Sequence, residues 1–265
     1  TPAIRKIQQI VTDDEFQNLP RKFKTAISGN ARQDVVHEIN DLAFIGVEHP
    51  ELGPGFECYV GGGLSTNPML AQSLGAFVTL EQVPEVWANV VRIFRDYGYR
   101  RLRNRARLKF LVKEWGVEKF RQILEEDYLG YALADGPKAP NNLVDRDHIG
   151  VHEQKDGNVY IGVKPTLGHM SGEQLIALAD LAERYGVTDL RFTPFKEVLL
   201  LGVAPEDVEK LQADLEEMGL YSKPSEFRRG LLSCTGLEYC KLAHVTTKSR
   251  AIELADELEE RFGDL

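Results

Sequence analysis

The stretch Asp135-Gly136-Pro137-Lys138-Ala139-Pro140-Asn141-Asn142 is the clearest linker in the chain. Its prolines, glycine and paired asparagines support neither a helical nor a strand period. The texture changes across it. Downstream, His148 to Gln154 and Asn158 to Val163 read as strands joined by an Asp156-Gly157 hairpin turn. Ser171-Gly172-Glu173-Gln174 opens a helix that runs to Tyr185 and stops at Gly186. Asp189 to Thr193 and Glu197 to Leu201 read as strands, with Pro194 between them, and Pro205 to Met218 as a helix capped by Gly219. This β-α-β-β-α order suggests a small α+β sandwich of the ferredoxin-like kind.

Upstream, residues 2–11 read as a helix with Ile4, Ile7 and Ile10 on one face. From Leu19 to Gly29, Phe23, Thr25 and Ile27 alternate with Lys22, Lys24 and Ala26, the pattern of a strand. Lys22 and Lys24 would then project to one face, two residues apart. Like charges so placed repel unless an anion sits between them; the other reading is a solvated strand face. Leu42 to Val47 and Phe56 to Val60 are further strands, and the second runs into Gly61-Gly62-Gly63-Leu64-Ser65. A glycine run there lets backbone approach a ligand and offer N–H groups, or it makes a flexible turn. Its spacing fits neither a dinucleotide fingerprint nor a Walker loop. Cys58 reads as a core thiol.

Pro84 to Tyr97 is a helix with Val83, Val86, Trp87, Val90, Val91 and Phe94 inward, ended by Gly98. The arginine-rich run after it reads as a helix from about Asn104 to Trp115. Started early, that helix would carry Arg100, Arg103 and Arg107 on one side. Such a patch suits bidentate capture of carboxylates or phosphates, or it pairs with Glu114 and Glu118. Val117 to Tyr128 is another amphipathic helix. Near the far end, Cys234 and Cys240 stand six positions apart around Gly236, with a helix expected near the second cysteine or a few residues later. Thiolates before a helix N-terminus gain from its dipole and free N–H groups, which makes half a metal site; two buried structural thiols are the other reading.

The chain has 265 residues, a formal net charge of -9 and 3 Cys. That is enough for one large domain or two ordinary ones. Overall acidity opposes a general nucleic-acid binder, although the basic run from Arg92 to Lys113 keeps a nucleic-acid module as the reading from another class. Few cysteines and no apolar span point to a reducing, cytoplasmic setting with no membrane. Thr1-Pro2 suits a helix start and no Met precedes it, so a fragment of a longer polypeptide is expected.

Five stretches together resemble one family: Leu19-Pro20-Arg21-Lys22-Phe23-Lys24, Val60 to Ser65, Arg95-Asp96-Tyr97-Gly98 with its arginine run, Leu190-Arg191-Phe192-Thr193, and Cys234-x5-Cys240. The chain is similar to the central part of a ferredoxin-dependent sulfite or nitrite reductase, the siroheme and iron–sulfur family. The resemblance implies an α+β fold: a siroheme-binding α/β lobe over 1–145, a ferredoxin-like half-domain over 148–222, and the start of a second α/β lobe over 225–265. It implies six-electron reduction of sulfite, or of nitrite, with ferredoxin as donor and no nucleic acid, in a monomer. Lys22 and Lys24 would bind the anion and help deliver protons. Arg107, Arg103 and Arg21 would hold siroheme, Gly61, Gly62 and Gly63 would pass close to the macrocycle, and Thr193 would lie beside it. Cys234 and Cys240 would be two of four ligands to a [4Fe–4S] cluster, so the 265 residues alone would lack an intact cluster and activity. One departure is Lys196-Glu197, where the family often has Gln-Asn.

Overall fold

The structure is a computed structural model that describes residues 2–30, 33–65, 67–140 and 147–263. It is a mixed α+β protein in two compact units, Thr1–Arg146 and Asp147–Leu265. No helix among the described residues is long and apolar enough to cross a membrane.

The first unit opens with α1 (Pro2–Ile10). Its inward residues are Ala3, Ile7 and Ile10, whereas Ile4 is exposed, so the buried stripe is offset from the isoleucine triplet. The sheet runs β1 (Thr25–Ser28), β2 (Leu42–His49), β3 (Gly53–Val60) and β4 (Gln72–Val78) in spatial order. β1 is parallel to β2 and the rest is an antiparallel meander. The register pairs Leu42 with Val60 and Phe44 with Cys58, which puts these four on one face. That face is covered by α2 (Val83–Tyr97), α3 (Leu108–Trp115) and α4 (Val117–Ile123). A π-helical turn, Leu124–Leu129, continues α4 to Gly130. The expected strand from residue 19 is short: only 25–28 pair. Before it the Lys24 carbonyl takes the amides of Asp41 and Leu42, while its own N–H goes to the Asp41 carboxylate. β4 escaped the sequence reading because Ser73 and Gly75 interrupt its apolar pattern.

The linker is less free than its composition suggests. Phe77 donates its amide to Ala134, and the Ala139 amide reaches the buried Glu57 carboxylate. Gln33 donates to the Pro140 carbonyl. Residues 135–140 are thus fastened to the first unit, and Asn141-Asn142 lie outside the described residues. Glu57 also accepts from Tyr59 at 2.7 Å and from Ser73. Glu57→Ala strands three donors under the linker and is expected to cost about 1–3 kcal/mol in urea unfolding. It should also open residues 135–140 to proteolysis.

In the second unit, β6 (Val159–Pro165) is central, preceded in the chain by its hairpin partner β5 (Gly150–Glu153). Then follow α5 (Gly172–Arg184), β7 (Asp189–Phe192), β8 (Val198–Val203), α6 (Val208–Glu217) and β9 (Leu220–Tyr221). β6 lies between β8 and β9, and β7 flanks β8; this is the β-α-β-β-α-β ferredoxin-like arrangement. β5 shares one edge of β6 with the two-residue β9. The core joins Ile161, Val163, Val198 and Leu200 of the sheet to Leu178, Leu181, Leu211 and Leu215 of the helices. α5 starts with a reciprocal cap: Gln174 N–H donates to Ser171 Oγ at 3.1 Å, and the Ser171 amide donates to Gln174 Oε1 at 2.9 Å. Ser171→Ala should lower the stability of this unit by about 1 kcal/mol, read from its urea midpoint.

Two helices close the chain, α7 (Glu226–Gly230) and α8 (Lys248–Phe262). Arg228 joins them through Glu259 and Asp256. α8 begins eight residues past Cys240, directly after the β-branched run Val245-Thr246-Thr247.

Candidate cofactor and anion site

The sequence-predicted residues fall in both units. In the first, Arg21, Lys22, Lys24, Arg103 and Arg107 line one cavity of about 420 Å³, together with Lys109. Among the described residues no carboxylate lines it. In a chain of net charge -9 this is a strong local inversion of sign. Leu64 and Phe110 add apolar surface to the wall.

The arginines do not share a helix face. Residues 103–105 form a single 3-10 turn, Arg107 is extended, and α3 starts only at Leu108. Arg107 is the last extended residue before α3 and Lys109 lies in its first turn, and both line the cavity. Arg107 is buried and grips the fully buried Asp41 with two bonds, Nε to Oδ1 at 3.1 Å and Nη2 to Oδ2 at 2.7 Å. Nη1 takes no part in that pair. Arg21 Nη1 donates to the Arg103 carbonyl at 3.0 Å and so ties the 20s segment to the arginine run. Arg100 turns away, to Asn18 and the Arg95 carbonyl.

Lys109 is the residue that sequence reading missed. It is 3% exposed, and its ammonium donates to three carbonyls: Gly63 at 3.2 Å, Leu64 at 2.8 Å and Asn67 at 2.5 Å. Its place two residues after Arg107 was the available signal, in a run whose arginines the sequence pattern put on one helix face. Burial, and then the Arg107 charge, lower its pKa. Lys24 is lowered for the same two reasons, in the same order, with Asp41 opposing. Lys22 is exposed and Lys24 half-buried, so the pair is neither a wholly solvated face nor a core element.

The triple glycine does not offer free N–H groups. Gly61 donates to the Asp41 carbonyl, Gly62 to Asn40 and Gly63 to Met69, each at 2.9 Å. Gly61 has φ +84°, and a Cβ there would come within 2.9 Å of Val112 Cβ; at Gly62 it would strike the carbonyls of Glu38 and Asn40. Packing within the protein therefore demands glycine at both positions. At Gly63 a Cβ would stand 3.3 Å from Arg107 Nη2 and 3.3 Å from Lys109 Cδ, so this glycine borders the basic cavity.

In the second unit, the Thr193 hydroxyl donates to Glu197 Oε2 at 2.7 Å and accepts the amides of Phe195 and Glu197, so it is spent on its own turn. Cys234 is exposed and Cys240 partly so; neither is a core thiol. The Cys240 amide closes on the Gly236 carbonyl at 3.0 Å. The loop docks on Thr247, just ahead of α8: the Thr247 hydroxyl donates to the Cys234 carbonyl at 2.8 Å and lies 3.7 Å from Cys234 Sγ. Thr247 and the Gly236 amide lower the Cys234 pKa. Cys58, by contrast, is fully buried, and burial raises its pKa. Among the described residues no group of three or more His, Cys, Asp or Glu is placed to hold a metal ion.

Residues 1–132 match the family described as nitrite and sulphite reductase 4Fe-4S domain, and residues 152–218 match the nitrite/sulfite reductase ferredoxin-like half domain. The chain belongs to the nitrite and sulfite reductase family. It is 53% identical to sulfite reductase [ferredoxin] 2 of Mycolicibacterium paratuberculosis, over 99% of this chain and 47% of that protein. It is 36% identical to ferredoxin–nitrite reductase of Synechococcus elongatus, over 93% of this chain and 48% of that protein. The solved NirA protein of Mycobacterium tuberculosis superposes with a TM-score of 0.95 at 51% identity, over 99% of this chain and 48% of that one. The chain thus spans about half the length of the reductases it matches.

The residues present suit the family's cofactors. A polycarboxylate macrocycle such as siroheme needs concentrated cationic side chains, and the cavity supplies six without a lining acid. The solvent-accessible thiols at 234 and 240 are of the chemical type that binds iron in such a cluster, and a [4Fe–4S] cluster takes four such donors.

Proposed function

We propose that the polypeptide carrying this chain is a ferredoxin-dependent sulfite reductase, an oxidoreductase that reduces sulfite to sulfide with six electrons. The cavity of six cations in an acidic chain carries this reading. Sulfite over nitrite is favoured by likeness: sulfite reductases match at 53% and 51%, the nitrite reductases at 36% and 34%.

Siroheme and the [4Fe–4S] cluster supply the redox chemistry when bound. The chain's own part is electrostatic and protonic. Lys22 and Lys24 hold the anion and pass protons, since six-electron reduction takes up protons along with the electrons. Arg21 and Arg103 meet cofactor carboxylates, as does Arg107 through the Nη1 left over from Asp41. Lys109 ties the carbonyls of Gly63, Leu64 and Asn67 together beside them. Of the triple glycine, Gly63 borders the cavity and would leave room for the macrocycle, whereas Gly61 and Gly62 are set by packing within the protein; the Thr193 hydroxyl, spent on Glu197, would offer the cofactor no bond. Cys234 and Cys240 ligate the cluster. In this reading 1–145 is the first lobe, 148–222 the ferredoxin-like half and 225–265 the start of the second lobe. The enzyme works as a cytoplasmic monomer with ferredoxin as partner.

Reduced ferredoxin supplied to the full-length protein should give sulfide from sulfite at a higher kcat/KM than ammonia from nitrite; the reverse ratio would reassign the substrate. Because the Lys24 pKa lies below its ordinary 10.5, its ammonium is lost earlier as pH rises. The KM for the anion should therefore climb on the alkaline side, starting below the usual lysine range. The 265-residue chain alone, after anaerobic iron and sulfide reconstitution, should bind clearly less than one cluster per chain. A stoichiometric cluster in a monomer would contradict the two-ligand assignment.

A further inference from the structure

Lys196 sits in the turn between β7 and β8 with φ +67°, a conformation that favours glycine. Opposite it is Gly168, where a Cβ would come within 2.5 Å of Lys196 Cβ and 2.8 Å of its Cδ. These two backbone positions fix the course of the lysine side chain. Glu197 follows it in sequence but does not neutralise it. That carboxylate is buried and turned to the Thr193 hydroxyl at 2.7 Å and the His148 amide at 3.3 Å. Burial, then Lys248, then Lys164 lower the Lys196 pKa, so two further ammonium groups act on it. Lys164 donates to the Arg229 carbonyl, which carries no full charge. Among the described residues neither Lys196 nor Lys248 has an ion-pair partner.

The position of Lys248 gives this repulsion a purpose. It is the first residue of α8 and follows Thr247, the residue bonded to Cys234. α8 packs on the 166–168 turn that carries Gly168, and so reaches the lysine lying across it. The cysteine loop from 231 to 247 contains one acid, Glu238, and two lysine or histidine residues, Lys241 and His244. The single acid of the loop is matched by Lys241, so the loop itself does not offset Lys196 and Lys248.

We propose that Lys196 and Lys248, with Lys164 behind them, form a cationic flank that offsets the negative charge of the cluster bound through Cys234 and raises its reduction potential. The inference rests on the reading of Cys234 as a cluster ligand. A thiolate-ligated cluster becomes more negative on reduction, and fixed positive charge nearby stabilises the reduced form. Lysines already paired with carboxylates would have little such effect; these two are not.

The test is an EPR-monitored redox titration of the full-length, cofactor-loaded protein. Lys196→Met and Lys248→Met should each raise the oxidised-to-reduced ratio of the cluster several-fold at a fixed ambient potential. A tenfold change corresponds to about 59 mV for a one-electron couple. Lys196→Arg should stay within about twofold of wild type. Lys196→Gly should shift the ratio as the methionine variant does while keeping or raising Tm, because glycine accepts the left-handed backbone. A merely structural lysine would move Tm and leave the ratio alone. If a methionine variant loads too little cluster to titrate, Lys196→Gly and Lys248→Gln carry the same measurement. Wild-type ratios in the variants of both lysines overturn the proposal. A wild-type protein with no cluster contradicts instead the assignment of Cys234.

Discussion

Arg107→Met is expected to unfold the first unit at a much lower urea concentration, with a loss of about 3–5 kcal/mol even in the cofactor-free chain. The reason lies in Asp41 rather than in any ligand. Asp41 is fully buried, and its carboxylate accepts both Arg107 bonds and the Lys24 amide. Its backbone joins Lys24 on one side and Gly61 on the other. Removing the arginine leaves an uncompensated charge at the junction of the lysine segment and the glycine run. Asp41→Leu combined with Arg107→Met should recover much of the stability, because a buried pair is costly to break but cheap to replace with apolar groups. The double variant should still bind siroheme poorly in the full-length protein. If Arg107→Met left the urea midpoint of the cofactor-free chain unchanged, Arg107 would be a cofactor ligand and nothing more.

The second large effect concerns the two lysines. In the full-length protein, Lys22→Ala and Lys24→Ala should each lower kcat/KM for sulfite by about 10²–10³-fold, the scale for removing one preorganised donor from a developing charge. Visible siroheme absorption should persist in both. Lys24 should matter more, since it is half-buried and its charge acts through a lower effective dielectric than that of exposed Lys22. Wild-type turnover in both variants would remove the anion-binding role.

Much of this architecture could be read from residues alone. The Asp156-Gly157 hairpin, the capped helix after Ser171 and the apolar face from Val83 to Phe94 were all visible, because each is a local pattern that tertiary packing does not override. What escaped notice depended on contacts distant in sequence. β4 is a strand only because β3 pairs with it, and the composition of residues 135–140 gives no hint that Glu57 will hold them. The arginine run misled for a related reason. Its apolar residues Leu108, Leu111 and Val112 do belong to a helix, but Arg107 must leave helical geometry to reach Asp41, sixty-six positions earlier. Three glycines looked like a ligand cradle, yet two of them answer to Val112 and to the carbonyls of 38 and 40. In the site, residue type was legible and hydrogen-bond commitment was not. Lys109, holding three carbonyls, is the plainest case.

The central claim is that the basic cavity and the exposed thiol pair serve an iron macrocycle and a sulfur-ligated cluster. Optical and EPR spectra, with iron and acid-labile sulfide assays, on the full-length protein produced with a siroheme supply test it most directly. The account predicts siroheme bands, a reducible [4Fe–4S] signal and near-stoichiometric iron, with siroheme lost when Arg103 and Arg107 are both replaced. A colourless, iron-free protein that resists reconstitution would contradict it.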